Sequence, residues 1–353
     1  MKIKVLKFGG TSVGSIEAIK RSADIIHDWS KKSKVIAVLS AMSGETDRLI
    51  NLTKSFSKNP NPIDFDNAIS SGENVSCALM SICLNNQKIK AKSLLSWQIP
   101  IITSSEHMKS RILSINKKFL YDELENFEVL LIPGFQGINN KGELTTLGRG
   151  GSDTSAVAVA AAMETECIIY TDVEGVFTTD PNIVPKAKKI NKISYEEMLE
   201  LASQGAKVLQ TRSVELAMRK NTKLSVRSSF KPKKIGTMIT DEKSVLENNT
   251  VSGITYSKDE AKITLSRVQD KPGVSSKIFG PLAKGNINVD MILQNISQDG
   301  KFANLSFTLP RLDLEKALKI LKKEKSIIGY KKIISSNNIS KISVVGVGMR
   351  SHA

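Results

Sequence analysis

The chain has 353 residues, more than one ordinary core can use, so about two or three domains are expected. Apolar residues make up 40% of it, yet no run approaches the roughly 18 apolar residues of a membrane helix, and residues 1–10 carry basic side chains without the apolar stretch of a signal peptide. The formal charge is +16, from 51 basic and 35 acidic residues, but the lysines are scattered and aromatics are only 5%, which argues for a solvated surface with local phosphate binding and against nucleic acid.

The first 230 residues alternate strand-like and helix-like stretches. Residues 4–8 form a short β-rich run that ends in Gly9-Gly10. Residues 16–29 repeat Ile16, Ile19, Ala23 and Ile26 at helical spacing. Residues 35–40 and 129–132 are continuous apolar strands, and the second ends in Pro133-Gly134. An alanine-rich helix follows at 155–163 and another strand at 167–171. This alternation predicts an α/β fold, a mostly parallel sheet sandwiched by helices, with ligands beyond the carboxyl ends of its strands.

A polar stretch at 231–249, with Pro232, Gly236 and Asn248-Asn249, reads as a linker. After it come a strand at 262–268, a turn at Asp270-Lys271-Pro272-Gly273 and a helix at 274–284. Strands at 287–293 and 303–309, a helix at 312–322 and a closing strand at 327–334 complete a ferredoxin-like βαββαβ pattern. Residues 342–347 echo 263–268, which predicts the opening of a second such unit. The expected organisation is an α/β domain at 1–230, a linker at 231–250, a ferredoxin-like domain at 251–340 and the start of a second such unit at 341–353.

Two glycine-rich segments carry phosphate chemistry. In Lys7-Phe8-Gly9-Gly10-Thr11-Ser12 a strand delivers a lysine, two glycines and two hydroxyls to a helix start. Glycines let backbone N–H groups approach an anion, the helix start adds partial positive charge, and Lys7 supplies a point charge. In Thr145-Thr146-Leu147-Gly148-Arg149-Gly150-Gly151-Ser152-Asp153 a second such loop opens a helix and offers Arg149 as a fork for a carboxylate. Asp153 reads either as a helix cap or as the group that orients nearby lysines or a magnesium-bound nucleotide. Together the loops suit a polyphosphate. Phe177, in the turn-rich segment 170–181, either walls a purine or packs into the core, and Lys207 alone reads as a surface charge. The three cysteines, Cys77, Cys83 and Cys167, show neither CxxC spacing nor an even count, as expected of reduced thiols in a cytoplasmic protein.

KFGGTSV from Lys7, SAMSGETDRL from Ser40, the SSGE ending at Glu73, TTLGRGGSDTSA from Thr145 and YTDVEGVFTTDP from Tyr170 occur in the order seen in aspartate kinases. With these motifs the chain resembles that branch of the amino-acid kinase superfamily, with a C-terminal ACT-type module, over nearly its whole length. The resemblance implies the amino-acid kinase fold and ATP-dependent phosphorylation of the L-aspartate β-carboxylate, the first step of lysine, threonine and methionine biosynthesis. It implies that Lys7, Asp153 and Lys207 are catalytic. Phe8, Gly9, Gly10, Ser40, Tyr170, Thr171, Asp172, Phe177 and Asp180 would join the two lysines around ATP, with Mg²⁺ bound through its phosphates and no metal site in the protein. Thr46, Glu73, Thr146, Arg149, Gly150, Gly151 and Ser152 would bind aspartate, Glu73 at its ammonium and Arg149 at its α-carboxylate. Asp270, Ser275, Asn288 and Gln294 would bind an effector, lysine or threonine, and the module would pair into a homo-oligomer. One departure from the family pattern is Gln210-Thr211, where aspartate kinases commonly have His-Pro.

Such a reaction fits the residues present. A carboxylate of pKa about 4 is ionised at neutral pH and needs no general base. His27, His107 and His352 lie in none of the motifs. The rivals are a sister amino-acid kinase and an amino-acid sensor that has lost turnover.

Overall fold

The structure, a computed structural model, describes residues 2–99, 101–148, 150–206, 208–241, 251–297 and 301–346. Arg149 and Lys207 lie outside the described residues. The chain divides into two compact units, Met1–Ile254 with Val344–Ala353, and Thr255–Ser343.

In the larger unit the chain runs β1 (Ile3–Phe8), α1 (Ile16–Ser30), β2 (Lys34–Leu39), α2 (Glu45–Phe56), α3 (Pro62–Ile69), α4 (Ser71–Asn86) and β3 (Ala91–Ser93). It continues through β4 (Ile101–Thr103), β5 (Ile112–Ile115), α5 (Lys117–Asn126), β6 (Val129–Pro133), β7 (Gln136–Ile138), β8 (Leu144–Thr146) and α6 (Gly151–Ala162). Then follow β9 (Cys167–Thr171), β10 (Lys192–Ser194), α7 (Tyr195–Ser203), α8 (Thr211–Arg219), β11 (Leu224–Ser228) and β12 (Thr237–Thr240).

The unbroken apolar runs become the centre of an eight-stranded sheet, in the order β10-β12-β11-β9-β1-β2-β6-β3. The strands β1, β2, β6 and β9 are buried along nearly their whole length, as a sheet covered on both faces requires. Neighbours are parallel except β11 with β12. The chain winds outward from β1 in both directions, which places the topological switch point at that strand's carboxyl end. A smaller sheet, β5-β4-β7-β8, stands beside it.

Alternation along β1 decides where its side chains go. Ile3 and Val5 join one core with Val157 of α6 and Val214 of α8, whereas Leu6 and Phe8 join the other, with Ile26 of α1 and Met80 of α4. Lys7 shares the parity of Val5 and so turns toward α6. On α1 the predicted apolar face holds for Ile19, Ala23 and Ile26, but Ile16, in the first turn, is 67% exposed. The residues of α6 from Gly151 to Ala160 are all buried, so its small side chains let it lie enclosed in the core.

The stretch expected to be a linker is corrected in part. Residues 237–240 form β12, inside the main sheet, because Ile239 and Thr237 pair with Leu224 and Val226. Residues 242–250 lie outside the described residues.

The smaller unit consists of β13 (Gly253–Gln269), which the chain enters from the larger unit, α9 (Val274–Lys284), β14 (Ile292–Ile296), β15 (Phe302–Leu309), α10 (Leu314–Lys323), α11 (Lys325–Ile328) and β16 (Lys332–Val345). The sheet order β14-β15-β13-β16 and the α9 and α10 crossovers give the βαββαβ arrangement its own core around Ile263, Leu305, Phe307, Ile278 and Leu321. Two expected strands shift. At residue 287 the chain is still finishing α9: the Ile287 N–H bonds Leu282 O and Asn286 takes φ +52°. Ile327 and Ile328 close a short helix that Gly329 ends at φ +77°, so β16 starts only at Lys332. Residues 341–345, expected to open a second unit, continue β16 without a break, and 347–353 lie outside the described residues.

Candidate active site

The loops that leave the carboxyl ends of β1, β2, β6 and β9 meet the first turns of α2, α4 and α6 at the switch point. Close backbone approach explains the glycines there. A Cβ on Gly10 would stand 3.0 Å from Ala41 O, and one on Gly134 2.7 Å from the Ser152 Cβ. The loop after β1 therefore lies against the loop after β2, and the β6 end against α6.

Lys7 is buried and its Nζ sits 2.6 Å from Asp153 Oδ1, held by charge rather than by an aligned hydrogen bond. Asp153 stands in the first turn of α6, whose N-cap is Gly150 at φ +70° with no side-chain cap. Asp153 is therefore not the cap of α6, and its carboxylate lies against Lys7. Gly9 lies beside the lysine: a Cβ there would be 3.4 Å from Lys7 Nζ. The segment Gly10–Ser12 forms a single 3₁₀ turn, and Ser12 Oγ donates to Ser229 Oγ at 2.8 Å. The Ser40 N–H donates to Phe8 O at 3.1 Å, which locks the β2 loop to β1.

Glu73 lies in the first turn of α4 and is 3% exposed. Among the described residues its Oε2 meets no hydrogen-bond partner. Burial pushes its carboxyl up to about 8, against the pull of the Ala41 backbone N–H. A buried acid with one oxygen unanswered is poised for a cation. Thr46, half-buried, is in the first turn of α2, and a Cβ on Gly72 would stand 2.8 Å from that of Ala41, so the α4 start packs directly on this loop. Ser152 is buried beside Gly134.

Several expected residues sit otherwise than as open pocket walls. Phe8 and Tyr170 are buried, their rings stacked at 5.1 Å and 6° in the core on the α1 side, with Trp29 Nε1 donating to the Tyr170 hydroxyl at 2.9 Å. They reach the site through their backbones alone; Gly9 N–H donates to Tyr170 O at 3.3 Å. Phe177 is half-buried on a bridge to Lys189, while its neighbour Val176 enters the core. Thr171 donates to the exposed Asp172 at 3.1 Å, and Asp180 caps its own turn by accepting from Asn182 N–H at 2.9 Å. Thr146 is fully enclosed, and its hydroxyl is spent on Asp66 at 2.6 Å, so it shapes the loop rather than lining a surface. Gln210, where the family pattern differs, packs on Gly150: a Cβ there would be 1.9 Å from Gln210 Cγ.

Sequence reasoning missed Asp66 and His107. The available signal was spacing: Asp66 precedes Glu73 by seven residues on two nearly continuous helices, which puts both carboxylates on one side. In the smaller unit Gln294 donates to Asp270 at 3.1 Å, which joins two expected effector residues, while Ser275 and Asn288 are exposed on α9 and on the segment before β14. Among the described residues no group of three His, Cys, Asp or Glu could hold a metal, and no helix is long and apolar enough to cross a membrane.

A switch-point site with a glycine loop, a lysine–aspartate pair and an enclosed acid is that of a phosphotransferase for small acids. Residues 2–228 match the model of the amino acid kinase family and residues 263–326 that of the ACT domain, and the chain belongs to the amino acid kinase family. The aspartate kinase of Pseudomonas putida is 48% identical over 356 residues, which cover 100% of this chain and 86% of that one. Within the family, therefore, the chain falls among the ATP-dependent aspartate kinases. E. coli aspartokinase III in complex with aspartate and ADP (R-state) shares the fold, with a TM-score of 0.79 at 24% identity, covering 100% of this chain and 89% of that one. The same enzyme in complex with lysine and aspartate (T-state) has a TM-score of 0.76 at 25% identity, covering 98% and 87%.

Proposed function

We propose that this site transfers the γ-phosphoryl group of ATP to the β-carboxylate of L-aspartate, giving 4-phospho-L-aspartate and ADP. The observation that carries the reading is the buried Lys7–Asp153 pair at 2.6 Å at the switch point, together with the buried Glu73, whose Oε2 has no partner among the described residues. A carboxylate oxygen of aspartate attacks the γ-phosphorus as the bond to the ADP oxygen breaks, and no proton changes place. Two anions must be held together, so positioning and charge neutralisation supply the rate.

Lys7, the Gly10 N–H and the side-chain-free backbone of Gly9 receive the phosphates, with Lys207 as the second lysine. Asp153 holds Lys7 in place. Glu73 takes the substrate ammonium and Arg149 its α-carboxylate, between Thr46, Gly150, Gly151 and Ser152. The backbones of Phe8 and Tyr170, with Ser40, Thr171, Asp172, Phe177 and Asp180, surround the nucleotide. The described residues fit a Mg²⁺ that arrives on the nucleotide, since Asp153 is already neutralised by Lys7 and no acidic cluster stands by. When bound, the metal neutralises phosphate charge. In the smaller unit, Asp270, Ser275, Asn288 and Gln294 are the proposed site for lysine or threonine as effector.

The test is ATP turnover with L-aspartate, trapping the acyl phosphate with hydroxylamine. Aspartate-dependent hydroxamate is expected, and Lys7→Ala should lower kcat on the order of 10²–10³-fold. Equal product with other amino acids, or a Lys7→Ala enzyme with undiminished turnover, would overturn the reading.

A further inference from the structure

Asp66 has no part in the scheme above, yet it is 0% exposed. It projects from the last turn of α3. Its Oδ1 accepts from Thr146 Oγ1 at 2.6 Å. Its Oδ2 accepts from the Thr146 N–H at 3.1 Å, from the Met108 N–H at 3.1 Å and from His107 Nδ1 at 2.8 Å. Four donors converge on two oxygens, which is full use of a carboxylate's acceptor capacity. His107 is itself steadied on its far side, where Nε2 lies 3.7 Å from Glu143 Oε2.

The same residue is gripped from a second side. The Ser110 N–H and Oγ both donate to Thr146 O, at 3.0 and 2.9 Å. Arg212, from α8, donates to Leu147 O and Ser110 O at 2.8 Å each. Thr146 thus has its N–H, its carbonyl and its hydroxyl bonded to α3 and to the β4–β5 connection. Shortly beyond Thr146 come Gly150, Gly151 and Ser152, at the start of α6, which the proposed function gives to aspartate. Glu73, proposed for the ammonium, begins the helix that follows α3. One nearly continuous helical pair therefore carries both the ammonium-binding carboxylate and the carboxylate that anchors the opposing loop.

We propose that Asp66 is a positioning residue for the acceptor pocket, acting through Thr146 to hold Leu147, Gly148 and the Gly150–Ser152 start of α6 in place. The inference rests on the reading of this site as that for L-aspartate. Fixing a loop by a saturated buried carboxylate is worth more than fixing it by neutral bonds, because each of the four hydrogen bonds is charge-assisted.

Asp66→Asn tests it. The amide keeps the shape but points an NH₂ group at three donors. The KM for aspartate should rise about 10- to 100-fold, the loss of one to two charge-assisted bonds, while the KM for ATP stays within about twofold. Amide exchange in residues 144–151 should accelerate with the rest unchanged, a readout that needs no turnover. Thr146→Val should raise the aspartate KM likewise, and the double variant should be no worse than Asp66→Asn alone. Equal rises in both KM values, a purely additive double variant or unaltered exchange at 144–151 would overturn the proposal. Should Asp66→Asn fail to fold, His107→Phe removes one donor only and must show the same selective rise in smaller degree; an unselective effect there sinks the idea. A wild-type enzyme without aspartate-dependent product, but with a loop that loosens in Asp66→Asn, would refute the aspartate reading and leave the anchor standing.

Discussion

Glu73 is a carboxyl whose protonation is tied to both stability and binding. Its carboxyl is raised from the ordinary 4.5 to about 8 by burial. The folded, ligand-free protein therefore holds a proton that the unfolded chain has released. By linkage the contribution to stability is full below the ordinary carboxylate range, falls as pH rises toward about 8, and stays lost above it. Glu73→Gln should flatten that fall, as read from denaturant midpoints across pH. A substrate ammonium demands the ionised form, so aspartate binding below about pH 8 should expel a proton. Calorimetry in two buffers of different protonation heat measures this directly. Identical heats in both would show that Glu73 does not meet the ammonium.

At the scale of elements, the turn into α6 depends on one glycine. Gly150 sits at φ +70°, and a Cβ there would lie 1.9 Å from Gln210 Cγ and 2.5 Å from its Cβ. Gly150→Ala should therefore strain the backbone by about 1 kcal/mol and also push α8 and α6 apart. A fall in kcat/KM for aspartate of roughly tenfold or more is expected, since small displacements of positioning groups are costly. Adding Gln210→Gly should restore part of it by removing the clashing carbons while leaving the backbone strain at 150. A double variant no better than Gly150→Ala would assign the whole defect to the backbone. The helix itself was legible from its alanines. The identity of the residue packed on its start was not, because Gln210 is sixty positions away and only the α6–α8 packing brings it there.

For the molecule as a whole, among the described residues β14 forms an edge of the smaller unit's sheet and pairs on one side only, with β15. All five residues of β14 are exposed, with Ile292 at 50%, Leu293 at 54% and Ile296 at 58%, beside Met291 at 44%. Apolar side chains grouped on such an edge strand suit a protein contact, and we propose that a second copy pairs there. Ile292→Lys should lower the mass seen by light scattering, because a buried lysine at such a contact is costly. An unchanged mass would place the oligomer contact elsewhere.

Sequence alone determined the elements whose side chains carry their own signal. Continuous apolar runs marked β2 and β6, and short β-rich runs marked β1 and β9, because strands covered on both faces leave little room for polar side chains. The glycine loops and their order marked the chemistry, since backbone approach to phosphate admits almost no other residue. Tertiary structure decided what depends on partners distant in the chain. Lys7 meets Asp153 because strand parity turns it toward α6, whereas Phe8, one residue on, is turned into the opposite core. Tyr170 was legible as part of a motif but not as a core ring, for its burial depends on Phe8 and Trp29. Residues 237–240 looked like linker because the strand is only four residues long and sits in a polar stretch, and its place between β10 and β11 is set by partners distant in the chain. Beyond the seven-residue spacing of Asp66 from Glu73, Asp66 and His107 carried no local pattern. They gain their meaning only where α3, the β4–β5 connection and Thr146 close on one another, since a hydrogen-bond network is set by three-dimensional convergence and leaves little trace in the linear order.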